Sequence, residues 1–435
     1  MGGSVWRLVT AGVAGAVVLA FVGSPQSLGM LFVVGPDSPA HIGAQLVIAL
    51  CGAGAMAVAV LLDRYWRWLV AAGAAGVVLA TVLHAPEYRG LTATAVGSGQ
   101  DPATQGLSIP VAVGCLVAGA AGVLVIGLFG VVREVARSSR AGGALAGFVA
   151  VAAYYGVAVI GPARSAAATP RVLIVAVAAA VAITAVVLGG KAAVVESDGW
   201  ARAAGACAAV ATVLPTVAVA ITGEQAFGTV TGGVVGLVVF GIAVAASATT
   251  GLRSVTAVAL TGLVLAAPVV MLVLIHDAPA GATGFAWPLA LAGVLVGAVG
   301  ALRTWSTAAL VALAVLPFIG MALRPDERGV AEFVVWALLF LVMAAVAASA
   351  GLAFRVVGTP AFAALATASA LGVFGTLNLW RAAVTEDDGG VGASLGTAGH
   401  WVSALLLVCA VALVLVVGRP DPGPDQGVPQ AAGTT

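Results

Sequence analysis

Residues 172–190 read VLIVAVAAAVAITAVVLGG, a stretch without a single charged side chain. About 20 consecutive apolar residues are enough for a helix to cross the hydrocarbon core of a bilayer. Similar stretches recur along the whole chain of 435 residues, of which 62% are hydrophobic and only 8% charged. Because a soluble domain carries roughly a quarter of its residues as charged side chains, this composition predicts an all-α, polytopic integral membrane helix bundle.

On both sides of that stretch, short polar turns divide residues 1–417 into about fourteen predicted transmembrane spans. They are Leu8–Val22, His41–Leu62, Trp68–Leu83, Ile109–Val131, Gly142–Ile160, Val172–Gly190, Ala203–Ile221, Val230–Ala248, Val255–Ile275, Phe285–Leu302, Ser306–Leu323, Ala331–Phe354, Ala361–Leu379 and Trp401–Val417. A division into two halves, residues 1–190 and 250–417 with spans between them, is one possible arrangement. Residues 418–435 are rich in Pro, Gly, Asp and Gln and predict a disordered tail.

The distribution of basic residues predicts the orientation of these spans. Cytoplasmic loops carry an excess of Lys and Arg. If the N-terminus is cytoplasmic, the outer segments hold only six of the 18 basic residues, and the other twelve lie in inner segments. The six are Arg89, Arg164, Arg171, Arg324, Arg328 and Arg381. An even number of spans then places both termini and the tail inside, and the scarcity of Lys and Asn suggests the cytoplasmic membrane of a bacterium.

The middle third of every predicted span lacks Asp, Glu, Lys, Arg and His. Ionisable groups at that depth usually mark ion paths or proton relays, so their absence disfavours a pump with a buried carboxylate. The other candidates for a weakly polar substrate cavity are prolines that free backbone carbonyls and polar side chains that bond between helices. These candidates are Gln45, Tyr154, Tyr155, Thr212, Pro215, Thr216, Pro268, Pro317 and Asn378.

Several other kinds of site are disfavoured. The four histidines, His41, His84, His276 and His400, map to the outer interface and are weak metal candidates, because their spacing forms no ligand motif. The four cysteines lie within apolar runs and are expected to be small buried packing residues. No nucleotide or nucleophile motif occurs, and the net charge of +1 leaves no basic surface for nucleic acid. We therefore expect no cofactor and no metal, and an enzyme is the less favoured class.

Two turns carry motifs. Between the second and third spans the chain reads Ala59-Val60-Leu61-Leu62-Asp63-Arg64-Tyr65-Trp66-Arg67-Trp68, and the fifth span ends in Gly161-Pro162. The first turn resembles the cytoplasmic loop motif of the major facilitator superfamily, through Asp63, Arg64 and Arg67. The second is similar to the antiporter motif of that superfamily, and a count of fourteen spans is similar to its drug/proton antiporter branch. The resemblance implies that these charged residues tie helix ends together and stabilise one of two access states.

Three functional hypotheses remain open on the sequence. The first is a transporter or flippase for a hydrophobic or lipid-linked substrate, working among membrane lipids. The second is a non-catalytic membrane scaffold or subunit for envelope assembly, which the small-residue-rich helices also suit. The third is a lipid-dependent transferase of the glycosyltransferase type that uses outer carboxylates.

Overall fold

The structure, a computed structural model, describes only part of the chain. The described residues are 2–22, 39–83, 109–138, 142, 145–149, 168–189, 199–222, 230–248, 252–276, 283–302, 305–322, 330–356 and 361–384. Everything regular within them is helical, which confirms the predicted all-α class. The fourteenth predicted span, most of the fifth and the tail lie outside the described residues.

Thirteen α-helices and one short 3₁₀ turn occur in the described ranges. The α-helices are α1 (Gly2–Val22), α2 (Pro39–Leu61), α3 (Trp66–Leu83), α4 (Ile109–Ser138), α5 (Ala168–Val187), α6 (Gly199–Ala211), α7 (Leu214–Thr222), α8 (Val230–Ala248), α9 (Leu252–His276), α10 (Thr283–Leu302), α11 (Ser306–Ala322), α12 (Val330–Val356) and α13 (Phe362–Val384). The 3₁₀ turn, Asp63–Tyr65, joins α2 to α3.

Most predicted spans correspond to one helix each, but two differ. The fourth span does not end at Val131, because α4 continues to Ser138 and takes three charged residues, Arg133, Glu134 and Arg137, into the helix. The seventh span is not one helix, since it divides into α6 and α7. Among the described residues, four helical segments are long and apolar enough to cross a membrane, and shorter apolar segments lie in the other helices. A count of fourteen spans stays a prediction.

The helices pack in a repeated order. In the first part of the chain, α4 contacts α1, α2 and α3, and α1 also contacts α3. In the last part, α12 contacts α9, α10 and α11 in the same way, and α9 contacts α11. Within the described residues, two groups of four successive helices therefore share one pattern of contacts, with the fourth helix at the centre of each group. We call these units the first repeat (α1–α4) and the second repeat (α9–α12).

The inner ends of the helices, meaning the ends predicted to face the cytoplasm, are closely packed. Residues 361–371 at the start of α13 are all buried, as are residues 345–350 of α12. Glycine allows this close approach, because a Cβ atom on Gly127 of α4 would lie 2.6 Å from the backbone nitrogen of Val70 on α3. Small residues at helix contacts are what membrane helices use to pack without a hydrophobic driving force.

The outside of the bundle is apolar, as a lipid-facing surface requires. Exposed tryptophans lie where helices begin at the predicted inner side: Trp6, Trp68, Trp200 and Trp305. Trp at this level is typical of a membrane interface. The expectation of buried cysteines is wrong for Cys51 and Cys207, which are exposed on α2 and α6. The molecule is a multi-pass membrane protein.

Candidate functional site: a charged turn and a broken helix

The turn between α2 and α3 places a carboxylate inside the protein. The chain leaves α2 when the N–H of Leu62 donates to the carbonyls of Val58 and Ala59, at 3.1 Å each. The 3₁₀ turn that follows packs against α3 and α4. As a result, Asp63 is only 1% exposed. A buried carboxylate must be paired or hydrogen-bonded to remain ionised, and Asp63 is not without a partner.

Arg133 and Glu134 lie near the end of α4, the helix on which this turn packs. Arg133 is 4% exposed and, like Asp63, has an interaction partner. Glu134 interacts electrostatically with Arg67, at the start of α3. An acid and a base are thus buried at one helix junction, with a second charge pair beside them. We call Asp63, Arg67, Arg133 and Glu134 the inner charge cluster.

Two aromatic side chains hold the arginines of the turn. The guanidinium of exposed Arg64 lies 4.5 Å from the centre of the Tyr65 ring, and that of Arg67 lies 5.2 Å from the Trp66 ring. Both distances are within the range of a cation–π interaction. Trp66 in turn packs on Gly130 of α4, where a Cβ atom would come within 2.6 Å of the indole. The sequence resemblance predicted this turn as a conformational motif, and that role stays a prediction.

The sequence interpretation missed Arg133 and Glu134. It ended the fourth span at Val131, because the apolar run stops there, and counted Arg133 only as an inner-loop charge. The signal that could have found both residues is helical periodicity, since Val132 and Val135 continue the buried face on either side of them.

The second feature is the break between α6 and α7. Thr212 and Val213 form a turn, and Pro215 follows at the start of α7. Proline has no N–H to donate to the carbonyl four residues before it, and its ring crowds that turn, so the helix is interrupted where Pro215 would have bonded to Ala211. Thr212 and Thr216 are both buried beside the break.

The other predicted cavity residues lie on separate helices or outside the described residues. Pro268 lies within α9 and Pro317 within α11, and neither helix is interrupted. Gln45 lies in α2 and Asn378 in α13, as His41 and His276 lie in α2 and α9. Outside the described residues are Tyr154, Tyr155, Gly161, Pro162, His84 and His400. Within the described ranges, no group of three or more His, Cys, Asp or Glu side chains can hold a metal ion.

The two repeats meet at the inner side through their central helices. The ring of Phe129 on α4 lies 4.8 Å from the ring of Phe354 on α12, at an interplanar angle of 52°. Aromatic rings at this separation attract each other beyond the burial of their surface. Near this pair, Gly147 packs so closely on Ala347 of α12 that a side chain would collide with it. These contacts join the two repeats at the predicted inner side.

No protein-family model matches the chain, and no curated protein does. Among solved structures, the chain is similar to the proton:xylose symporter XylE of the major facilitator superfamily bound to 6-bromo-6-deoxy-D-glucose, at 14% identity, with 95% of each chain covered and a TM-score of 0.47. It is also similar to XylE from E. coli in a partially occluded inward-open conformation, at 13% identity over 96% of this chain and 99% of that one, with a TM-score of 0.49.

A third similar structure is a bacterial homologue of the iron transporter ferroportin, in an outward-facing state with soaked iron. Here the identity is 14%, the coverage is 96% of this chain and 98% of that one, and the TM-score is 0.48. XylE belongs to the superfamily whose loop motif Asp63, Arg64 and Arg67 resemble.

Proposed function

We propose that this protein is a membrane transporter that exposes a central site alternately to the two sides of the bilayer. The observation that carries the proposal is the repeated four-helix arrangement, in which α4 and α12 hold equivalent central places and touch each other at the inner side. Many transporters are built from two such repeats, with the substrate site at their interface, and work by rocking one repeat against the other.

The proposed substrate is hydrophobic or lipid-linked, which includes a flippase role, and the proposed location is the cytoplasmic membrane of a bacterium. The support is the lack of ionisable side chains in the middle of the predicted spans, because a charged substrate in a low-dielectric interior needs opposite charge close by. Membrane lipids surround the exposed apolar faces, and a hydrophobic substrate can enter from them.

The inner charge cluster is the proposed conformational lock. It lies at the same inner level as the contact between Phe129 and Phe354, and it ties the turn after α2 to the end of α4. If α4 moves relative to α12 during opening, these charged contacts must rearrange. The energy needed to rearrange these contacts stabilises the inward-closed state.

Cysteine-accessibility scanning along α9 and α12 tests the proposal. The native cysteines are first replaced, and single cysteines are then introduced along each helix in proteoliposomes. A transporter exposes positions at helical period to a membrane-impermeant maleimide deep in the bilayer, because they line a cavity that fills with water. Uniform protection along both helices would contradict the transporter and favour a scaffold, whose helices form a filled bundle.

A further inference from the structure

The break between α6 and α7 leaves backbone oxygens outside the regular hydrogen-bond pattern. The N–H of Thr212 donates to the carbonyls of Ala208 and Ala209, at 3.2 Å each. The next two bonds pass over the carbonyls of residues 211 and 212. The N–H of Val213 donates to the carbonyl of Val210 at 3.1 Å, and the N–H of Val217 donates to the carbonyl of Val213 at 3.0 Å. The carbonyls of residues 211 and 212 accept none of these backbone bonds across the described break.

A buried hydroxyl accompanies these carbonyls. Thr216 is 5% exposed, and its Oγ1 atom has no hydrogen-bond partner in the described structure. Three other buried hydroxyls bond back to their own helix: Thr212 Oγ1 donates to Ala209, Thr261 Oγ1 to Ala257 at 2.8 Å and Thr367 Oγ1 to Ala363 at 2.8 Å. Ser369 Oγ is also buried without a partner in the described structure, but it lies within the uninterrupted helix α13. A buried hydroxyl without a partner is unfavourable, so this one is expected to meet something that the polypeptide does not supply.

The break lies inside the membrane and inside the bundle. The 13 residues of α6 rise about 20 Å from the inner end at 1.5 Å per residue, within a hydrocarbon core about 30 Å thick. Val213 at the break is buried against Ala49 and Ala53 of α2. A place this deep and this well covered is not open to bulk water.

The chemistry at the break favours a monovalent cation. The ligand atoms are neutral oxygens, two carbonyls at the C-terminal end of α6 and one hydroxyl in the first turn of α7. Ca²⁺ and Mg²⁺ usually require carboxylate ligands, whereas unwound carbonyls and half-helix C-termini coordinate Na⁺ in transporters with broken helices. We propose that the carbonyls of Ala211 and Thr212 and the hydroxyl of Thr216 form a Na⁺ site, which rests on the proposed function because its ion would be the coupling ion.

Binding of radioactive Na⁺ to the purified full-length protein tests the site, with K⁺ and choline as competitors at constant ionic strength. Wild type and Thr216→Ser, which keeps the hydroxyl, are expected to bind Na⁺. Thr216→Val should weaken binding by at least the roughly tenfold that even outer-shell changes cause at metal sites. The matched control is Thr261→Val, which removes a buried hydroxyl that is already bonded within α9 and should leave Na⁺ affinity unchanged.

Pro215→Ala is a second test that does not depend on the stability of Thr216→Val. Alanine restores the N–H that can bond to residue 211 and continue the helix, so we expect a folded protein that no longer binds Na⁺. Absence of specific Na⁺ binding to wild type, or equal binding to wild type and to Pro215→Ala, would overturn the site and leave a buried water as the partner of Thr216. A protein that opens in the accessibility scan yet binds no Na⁺ refutes the site alone, whereas Na⁺ binding in a uniformly protected bundle refutes the proposed function alone.

Discussion

At the scale of single residues, Asp63 and Arg64 are neighbours in one turn but lie in different environments. Asp63 is buried against α4, and Arg64 is exposed over the ring of Tyr65. The same formal change, loss of one charge, should therefore have different costs at the two positions. Leaving a buried polar group unsatisfied costs about 1–3 kcal/mol, and more where a charge is involved, while an exposed substitution away from such features changes stability by about 0.5 kcal/mol or less.

Asp63→Asn should insert normally and keep its helix content but lower the free energy of unfolding by about 1–3 kcal/mol, because the buried carboxylate loses its charge-assisted interactions at the junction with α4. Thermal unfolding in detergent measures this loss. Arg64→Gln is the matched control and should unfold near the wild-type temperature. Equal midpoints for the two variants would show that burial of Asp63 does not matter to stability.

At the scale of helix pairs, glycines decide how closely α3 and α4 approach. Gly73 of α3 abuts Leu124, where a Cβ atom would lie 2.7 Å from the Leu124 Cα atom, and Gly127 of α4 abuts the backbone of Val70. Gly54 of α2 is a contrasting case, because nothing lies within 4 Å of the place where its Cβ would be. A backbone neighbour cannot move aside as the end of a flexible side chain can, so the first two positions tolerate no methyl group without separation of the helices.

Gly127→Ala should therefore destabilise the protein by about 1–3 kcal/mol, the usual cost of overpacking. Gly54→Ala, in contrast, should be neutral or stabilising by up to about 1 kcal/mol, since alanine is the better helix former and the space is open. Unfolding midpoints of the two variants in the same detergent measure the difference. A Gly127→Ala protein as stable as Gly54→Ala would contradict the close approach of α3 and α4.

At the scale of the whole molecule, the contact between Phe129 and Phe354 is where the first and second repeats meet at the inner side. In the proposed transport cycle, this contact must separate for the inner side to open. A covalent link across it should hold the protein closed. By contrast, the thiols of Cys51 on α2 and Cys115 on α4 lie close to each other within the first repeat. A link there joins helices that move together and should not prevent opening.

The test links Phe129→Cys to Phe354→Cys with a short bifunctional maleimide, in a background that lacks the native cysteines. The link should protect a buried reporter, Val258→Cys, from an impermeant thiol reagent added at the inner side. The reporter is incorporated as a protected cysteine, and its thiol is deprotected only after the pair has been joined. In the matched control, the linked pair is Cys51 and Cys115, and labelling of the reporter should continue. Equal labelling in both proteins would contradict an inner gate between the repeats.

Composition and the length of the apolar runs are enough to predict a helical membrane protein, because neither depends on which helices pack against each other. The length of apolar runs placed most helices, whereas Pro215, Pro268 and Pro317 were equivalent candidates in the sequence and only the helix at Pro215 is interrupted. The turn at Asp63, Arg64 and Arg67 resembles the loop motif of a transporter superfamily. Hydropathy alone did not determine the length of α4 beyond Val131, since the hydropathy falls there while the buried face continues through Val132 and Val135.

The tertiary structure was needed to show which of these residues are buried and which contact each other. It buried Asp63 beside the end of α4, paired Phe129 with Phe354 across more than 200 residues, and left Thr216 without a hydrogen-bond partner at the break. The physical reason is that burial and contact between distant helices depend on which face of each helix meets which neighbour. In a chain so rich in Ala, Val and Gly, many faces are equally apolar, so the pattern along one helix does not specify its partner.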